Sequence, residues 1–174
     1  MSNQIVIIGN GIAGITAARH IRKHSSETSI TVISAETDYF FSRTALMYIY
    51  MGHMRYKDTK PYEDWFWSKN RIDLVRDFAH SIDFEQQIVK TNKKEIPYDK
   101  LIIATGSTPN KFGWKGQDLP GVQGLYSKQD LDTLEESTSG NKVKRAVIVG
   151  GGLIGVEFAE MLHSRDIEVT FLVR

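Results

Sequence analysis

Gly9, Gly11 and Gly14, in the run Gln4-Ile5-Val6-Ile7-Ile8-Gly9-Asn10-Gly11-Ile12-Ala13-Gly14, constrain this chain more than any other feature. Four consecutive β-branched apolar residues lead straight into G-x-G-x-x-G, the pattern by which a buried parallel strand turns into a helix. Gly9 supplies a tight turn, Gly11 lets backbone approach a pyrophosphate, and Gly14 lets the helix sit close to the strand. The helix N-terminus then offers unpaired N–H groups and partial positive charge to phosphates, which brings Ile12 and Ala13 among the candidate contacts.

Two further features make the pattern specific. Glu36 follows the apolar run Ile30-Thr31-Val32-Ile33 at the distance where this fold places an acid on an adenosine ribose hydroxyl. The whole unit also recurs, because Ala146-Val147-Ile148-Val149-Gly150-Gly151-Gly152-Leu153-Ile154-Gly155 matches it without a gap. Ala18 then pairs with Ala159 and Ile21 with Leu162, so Gly150, Gly152, Ile154 and Gly155 form a second candidate turn. Two such turns imply two dinucleotides, of which one can be a bound flavin. The expected class is α/β: a Rossmann-like domain with a β-meander, followed by the start of a second Rossmann-like domain.

Composition narrows the function. With 174 residues the chain is one large domain or one and a half small ones. A net charge of +1 without clustered Lys or Arg argues against a nucleic-acid surface. Cysteine is absent, which rules out disulfides, thiolate metal sites and a redox-active thiol within these residues. No apolar run approaches the roughly 20 residues of a membrane span. The apolar N-terminus is broken by glycines and lacks a basic leader, so the cytoplasm is the expected location.

In chain order, the helix predicted over Gly11 to His24 carries Ile12, Ile15, Ala18 and Ile21 as its apolar face. His20 and His24 lie one turn apart near its end; cations suit a helix C-terminus, a shared metal is the alternative, and no metal site is expected. A polar turn from Ser25 to Thr28 leads to a strand ending at Ser34. The stretch Tyr39 to Met51 is apolar except for Arg43, which at this point has two readings, a bidentate pyrophosphate contact or a surface salt bridge. Tyr48 and Tyr50 read as core or pocket wall. Pro61 to Asn70 reads as a short helix with proline in its first turn, and Trp65, Phe66 and Trp67 as packing aromatics, with a partner or membrane contact as the alternative. Strands over Ile72 to Val75, Ser81 to Phe84, Gln87 to Thr91 and Glu95 to Pro97 are predicted to form an antiparallel meander. It leads into a buried strand ending at Ala104-Thr105-Gly106, expected on the same sheet edge as the first glycine turn. Asn110 to Gly124 reads as linker, Ser127 to Glu136 as a helix capped by Ser127 with Leu131 and Leu134 on one face, and Ser137 to Asn141 as loop. The second strand, turn and helix span Arg145 to Ser164, and a last strand spans Glu168 to Val173. Domain boundaries follow at 1–110, 111–140 and 141–174.

The ordered set of G-x-G-x-x-G, acid, meander, Ala-Thr-Gly and a second G-x-G-x-x-G with Glu157 two residues on resembles the two-dinucleotide-binding-domain flavoproteins, the pyridine nucleotide-disulfide oxidoreductase-like family. It does so along essentially the whole chain. Within that family, Ala35 to Arg43 is most similar to the ferredoxin reductase-like and nitrite reductase-like branch, where a tyrosine or serine and then an arginine follow the acid. The resemblance implies FAD in the first domain and NAD(P)H in the second. Gly9, Gly11 and Gly14 then look like the FAD pyrophosphate turn, Glu36 like the adenosine ribose ligand, Arg43 like an FAD contact, and Ala104, Thr105 and Gly106 like the contact near the flavin. Gly150, Gly152, Gly155 and Glu157 look like the NAD(P)H site. Arg174 stands where NADH-preferring relatives carry an acid; an arginine there can accept a 2′-phosphate, as from NADPH, or be a solvated charge.

Three departures qualify the resemblance. The family's cysteine pair beside the flavin is missing, which excludes disulfide reduction by that route. Thr44, Ala45 and Tyr48 stand where the branch has prolines and often a lysine after the arginine, so no lysine role transfers. Family members also return from the second domain to finish the FAD domain, which makes an N-terminal fragment with weak FAD retention the expectation; a stop codon directly after Arg174 contradicts it. The expected activity is an FAD-dependent NAD(P)H oxidoreductase, a homodimer when full length. It passes hydride to FAD and electrons to an unidentified acceptor: an iron–sulfur protein, a quinone, oxygen or a nitrite-reducing partner. No side chain is an obvious general acid or base. A nucleotide-binding redox sensor without turnover is the alternative, and a NAD-only dehydrogenase with a duplicated domain leaves the meander and Ala-Thr-Gly unexplained.

Overall fold

In β1 (Gln4–Ile8) alternate residues face opposite ways, and both faces are buried, which is why the strand reads as one unbroken apolar run. Ile5 and Ile7 join Ile15, Ala18, Ile30, Val32, Trp67 and Ile72 in one core. Val6 joins Ile33, Val89, Ile96 and Tyr98 in the other. Ile7 and Val6 are both 0% exposed, and each such side chain contributes roughly 1.5–3 kcal/mol of burial. The computed structural model describes residues 3–173. By contacts the chain groups into two compact units, one of residues up to Ser42 with Lys60–Thr108, the other of Arg43–Thr59 with the residues from Pro109 onward. The segment 43–59, which lies inside the first of the ranges drawn from sequence, thus groups with the second unit.

The first unit is built on a four-stranded parallel sheet. β1 is followed by α1 (Ile12–His24) and β2 (Ser29–Ser34); later come α3 (Asp64–Lys69), β3 (Ile72–Arg76) and β7 (Lys100–Ile103), and the strand order is β3-β2-β1-β7. The chain runs outward from β1 to β3 and returns on the far side as β7, so the topological switch point lies between β1 and β7. Pairings Ile8↔Ile33 and Ile8↔Ile103 bring the carboxyl ends of β1, β2 and β7 level with one another. A three-stranded antiparallel meander of β4 (Ala79–Asp83), β5 (Ile88–Thr91) and β6 (Glu95–Pro97) covers the second face.

Several expectations are corrected here. Ile72 to Val75 is not a meander strand; as β3 it pairs in parallel with β2, because α3 supplies the crossover that returns the chain to the first sheet. The last strand, β7, lies at the sheet edge, so Leu101 and Ile102 are half-buried and Ile103 is exposed. Pro61 precedes the helix, which begins at Asp64 with Glu63 at its N-cap position. The buried face of α1 is Gly14, Ile15 and Ala18; Ile12, in a first turn that lies beyond the strand end, is 70% exposed. Arg22 closes the far end of α1. All five guanidinium N–H groups donate to backbone carbonyls, those of Ser25, Ser26, Thr28, Asn70 and Arg71.

In the second unit β8 (Arg145–Val149) pairs in parallel with β9 (Glu168–Leu172), joined by α5 (Leu153–His163). α4 (Lys128–Thr138) starts in a capping box: Ser127 Oγ accepts from Asp130 N–H, and the Asp130 carboxylate accepts from Ser127 N–H. Leu131 and Leu134 are buried, as their spacing predicts, while the helix runs on to Thr138 and a 3-10 turn (Ser139–Asn141) replaces the expected loop. The short helix α2 (Leu46–Tyr50) belongs to this unit through Tyr50. Its hydroxyl bonds Thr138 Oγ1 at 3.0 Å, its carbonyl accepts from Arg165 Nη2 at 2.6 Å, and the Arg165 guanidinium lies 3.9 Å from its ring centroid. Tyr50 is core as expected, but Tyr48 is exposed.

Candidate dinucleotide sites

The first glycine turn sits where β1 ends. Gly9 has φ +113°, and its N–H donates to Ile33 O at 2.8 Å, which ties the turn to the end of β2. On the other side a Cβ built on Gly9 would lie 2.1 Å from Ala104 O and 3.2 Å from Thr105 N. Ala104 N–H in turn donates to Ile8 O at 2.8 Å, so Ala104-Thr105-Gly106 emerges beside the turn at the switch point, with Thr105 and Gly106 exposed. At Gly14 a Cβ would meet Gly9 O at 2.0 Å, which fixes glycine there as the condition for close helix–strand approach. Gly11 differs: its Cβ would meet nothing within 4 Å. It is the N-cap of α1, and no side chain caps the helix, which leaves the N–H groups of the first turn without a side-chain partner. A pyrophosphate with an open approach fits this cradle.

Glu36 lies just past β2 on the same edge, half-buried, its N–H donating to Ser34 Oγ at 3.3 Å. The residue after it, Thr37, accepts from Asn10 Nδ2 at its carbonyl (3.0 Å) and its hydroxyl (3.3 Å). Nothing in the local sequence pattern singles out Asn10 beyond its being an amide, rather than a small residue, between two glycines.

The second turn reproduces the first. Gly150 has φ +118°, its N–H donates to Leu172 O at 2.9 Å, and a Cβ on Gly155 would lie 2.2 Å from Gly150 O. Gly152 is the N-cap of α5, in the same extended conformation as Gly11 and with an equally open side. Ile154 is exposed and Glu157 half-buried on that helix.

Arg43 falls in the second unit, where its Nη1 donates to Tyr126 O at 2.5 Å and its guanidinium stacks over the Tyr126 ring. Arg174 lies outside the described residues. His20 and His24 are exposed on α1, and no group of three or more metal-ligating side chains occurs among the described residues. Trp67 is buried with Tyr62 and Phe66 in edge-on and stacked contacts, as packing aromatics are, while Trp65 is exposed. No helix among the described residues is long and apolar enough to cross a membrane.

The family model described as pyridine nucleotide-disulphide oxidoreductase matches residues 3–174. The nitrite reductase [NAD(P)H] of Bacillus subtilis is 34% identical over 173 residues, covering 97% of this chain and 21% of that protein. The ferredoxin–NAD(+) reductase subunit of the benzene 1,2-dioxygenase system of Pseudomonas putida is 32% identical over 174 residues, 99% of this chain and 42% of that one. Among solved structures, the NAD-dependent persulfide reductase from A. fulgidus superposes with a TM-score of 0.86 at 34% identity, over 97% of this chain and 33% of that chain. The chain therefore spans less than half the length of each.

Proposed function

The chain belongs to the pyridine nucleotide-disulphide oxidoreductase family, and we propose that it takes FAD at the first glycine turn and NAD(P)H at the second, in an oxidoreductase that moves electrons from the nicotinamide to a further acceptor. The observation that carries this reading is the congruence of the two turns, Gly9 with φ +113° and Gly150 with φ +118°, each opening an uncapped helix. One dinucleotide site fits many folds and functions; two on one chain fit a donor and an acceptor of hydride.

The residues have distinct parts. The N–H groups of the first turn of α1, from Gly11 through Ile12, Ala13 and Gly14, hold the pyrophosphate, with the helix dipole favouring its charge. Glu36 accepts from the adenosine ribose hydroxyls, and Thr105 and Gly106 line the approach at the switch point. Gly150, Gly152, Ile154 and Gly155 repeat the phosphate role for NAD(P)H, with Glu157 near the nicotinamide side. Arg43, as a phosphate contact, and Arg174, as a 2′-phosphate contact, rest on sequence pattern alone. When bound, FAD supplies the hydride acceptor and the route to one-electron partners. These 174 residues contain no cysteine, so electrons leave without a thiol of this chain. The ferredoxin named for the Pseudomonas relative makes an iron–sulfur protein the first acceptor to try, ahead of a quinone or oxygen. We further propose a cytoplasmic homodimer.

The test is NAD(P)H oxidation by the full-length gene product with a dye acceptor and then with a ferredoxin. Flavin-dependent turnover is expected. Tight binding of both nucleotides without oxidation favours a redox sensor instead.

A further inference from the structure

Asn10 occupies the second position of a turn in which the side chain has no evident duty. The second copy makes the same turn with Gly151 there, its φ at the preceding glycine differing by only a few degrees, +118° against +113°. The amide is therefore not needed to form the turn. It is nonetheless buried, 9% exposed, and aimed at one residue: Nδ2 donates to Thr37 O at 3.0 Å and Thr37 Oγ1 at 3.3 Å. Thr37, 5% exposed, donates its own hydroxyl hydrogen bond to Tyr39 O at 2.8 Å. On the other side of Glu36, Ser34 Oγ accepts from the Glu36 N–H at 3.3 Å. The short loop bearing Glu36 is thus pinned before and after the acid, and the second pin comes from inside the phosphate-binding turn itself.

We infer that Asn10 is a positioning residue for the first nucleotide site. By joining the glycine turn to Thr37 it fixes the spacing between the phosphate cradle and the Glu36 carboxylate, and so sets preference for a dinucleotide whose adenosine ribose carries free hydroxyls. The inference rests on the reading that Glu36 accepts from that ribose. Nothing equivalent is available at Gly151, where a Cβ would instead lie 2.9 Å from Val173 Cγ2.

The experiment compares the affinity of the full chain for FAD and for FAD built on 2′,3′-dideoxyadenosine, by calorimetry. Wild type, Asn10→Gly, Asn10→Asp, Glu36→Ala and the Asn10→Gly/Glu36→Ala pair are measured, each checked for a native melting transition. Asn10→Gly installs the second copy's residue, and Asn10→Asp keeps the shape but cannot donate. Wild type is expected to prefer FAD, and either Asn10 variant is expected to lower that preference about three- to tenfold, as loss of a buried hydrogen bond does. Glu36→Ala abolishes the preference, and adding Asn10→Gly changes it no further. If Glu36→Ala loses the preference while both Asn10 variants keep it, or if they weaken the two ligands equally, the inference is overturned. If Glu36→Ala keeps the preference, or wild type has none, the underlying ribose reading fails instead.

Discussion

The carbonyl oxygen of Ala104 occupies the space where Gly9 would carry a side chain, 2.1 Å from a Cβ built there. One backbone contact therefore joins the first glycine turn to the Ala-Thr-Gly segment almost a hundred residues later, and the two can form a single edge only if residue 9 is glycine. Gly11, two residues on, has nothing within 4 Å of the same added atom.

The two glycines should consequently fail in different ways when replaced by alanine. Gly9→Ala combines a positive φ with a backbone clash and is expected to cost about 2 kcal/mol or more of stability. Gly11→Ala, at an ordinary negative φ, should stay within about 0.5 kcal/mol of wild type while losing FAD affinity at least tenfold. Urea unfolding and calorimetry on both variants separate the effects; equal loss of stability in the two contradicts the assignment.

Arg22 should tolerate no substitution by lysine. An ammonium has three donors against five in the guanidinium, so Arg22→Lys leaves carbonyls among Ser25, Ser26, Thr28, Asn70 and Arg71 without their partner. A loss of about 2 kcal/mol is expected in urea unfolding. A change below about 0.5 kcal/mol shows the carbonyls to be served by water.

Tyr50→Phe removes only the hydroxyl bonded to Thr138, and Thr138 keeps its bond to Leu134 O at 2.7 Å. The expected cost is about 1 kcal/mol, read by equilibrium unfolding. Because Tyr50 belongs to the second unit, hydrogen exchange should quicken in α4 before it does in β1.

Asp77 ties the end of β3 to the meander turn. The Thr91 hydroxyl first, then the N–H groups of Phe78 and Lys93 at 2.8 and 3.0 Å, hold its carboxyl below the ordinary carboxylate value, against the opposing pull of desolvation. A depressed folded-state pKa gives stability that is complete above the unfolded value of about 3.9 and is lost as pH falls through the folded one. Asp77→Asn should therefore be less stable at neutral pH and show a shallower loss below about pH 4. Parallel pH profiles for variant and wild type contradict this.

The features legible in the sequence were those that local geometry dictates. Both glycine turns, the α1 boundary at His24 and the Ser127 cap follow from residues within a turn of one another. What escaped depends on distant partners. Ile72 and Leu74 alternate as a meander strand would, and only pairing with Ile30 and Val32 places them in the parallel sheet. The grouping of segment 43–59 rests on Tyr50 meeting Arg165, 115 residues away, and Asn10 reaches Thr37 across 27. Ile12 fitted the apolar period of its helix, but that period carries no information on where the sheet beneath it ends.

The most direct test of the account is a two-dimensional amide NMR titration of the chain with FAD. Saturable shifts at Gly9, Gly11, Gly14, Glu36, Thr105 and Gly106, needing about tenfold more FAD for saturation in Glu36→Ala, are the predicted result. Saturable shifts that leave these amides unmoved, or no shifts at millimolar FAD, would contradict assignment of the first glycine turn to a flavin dinucleotide.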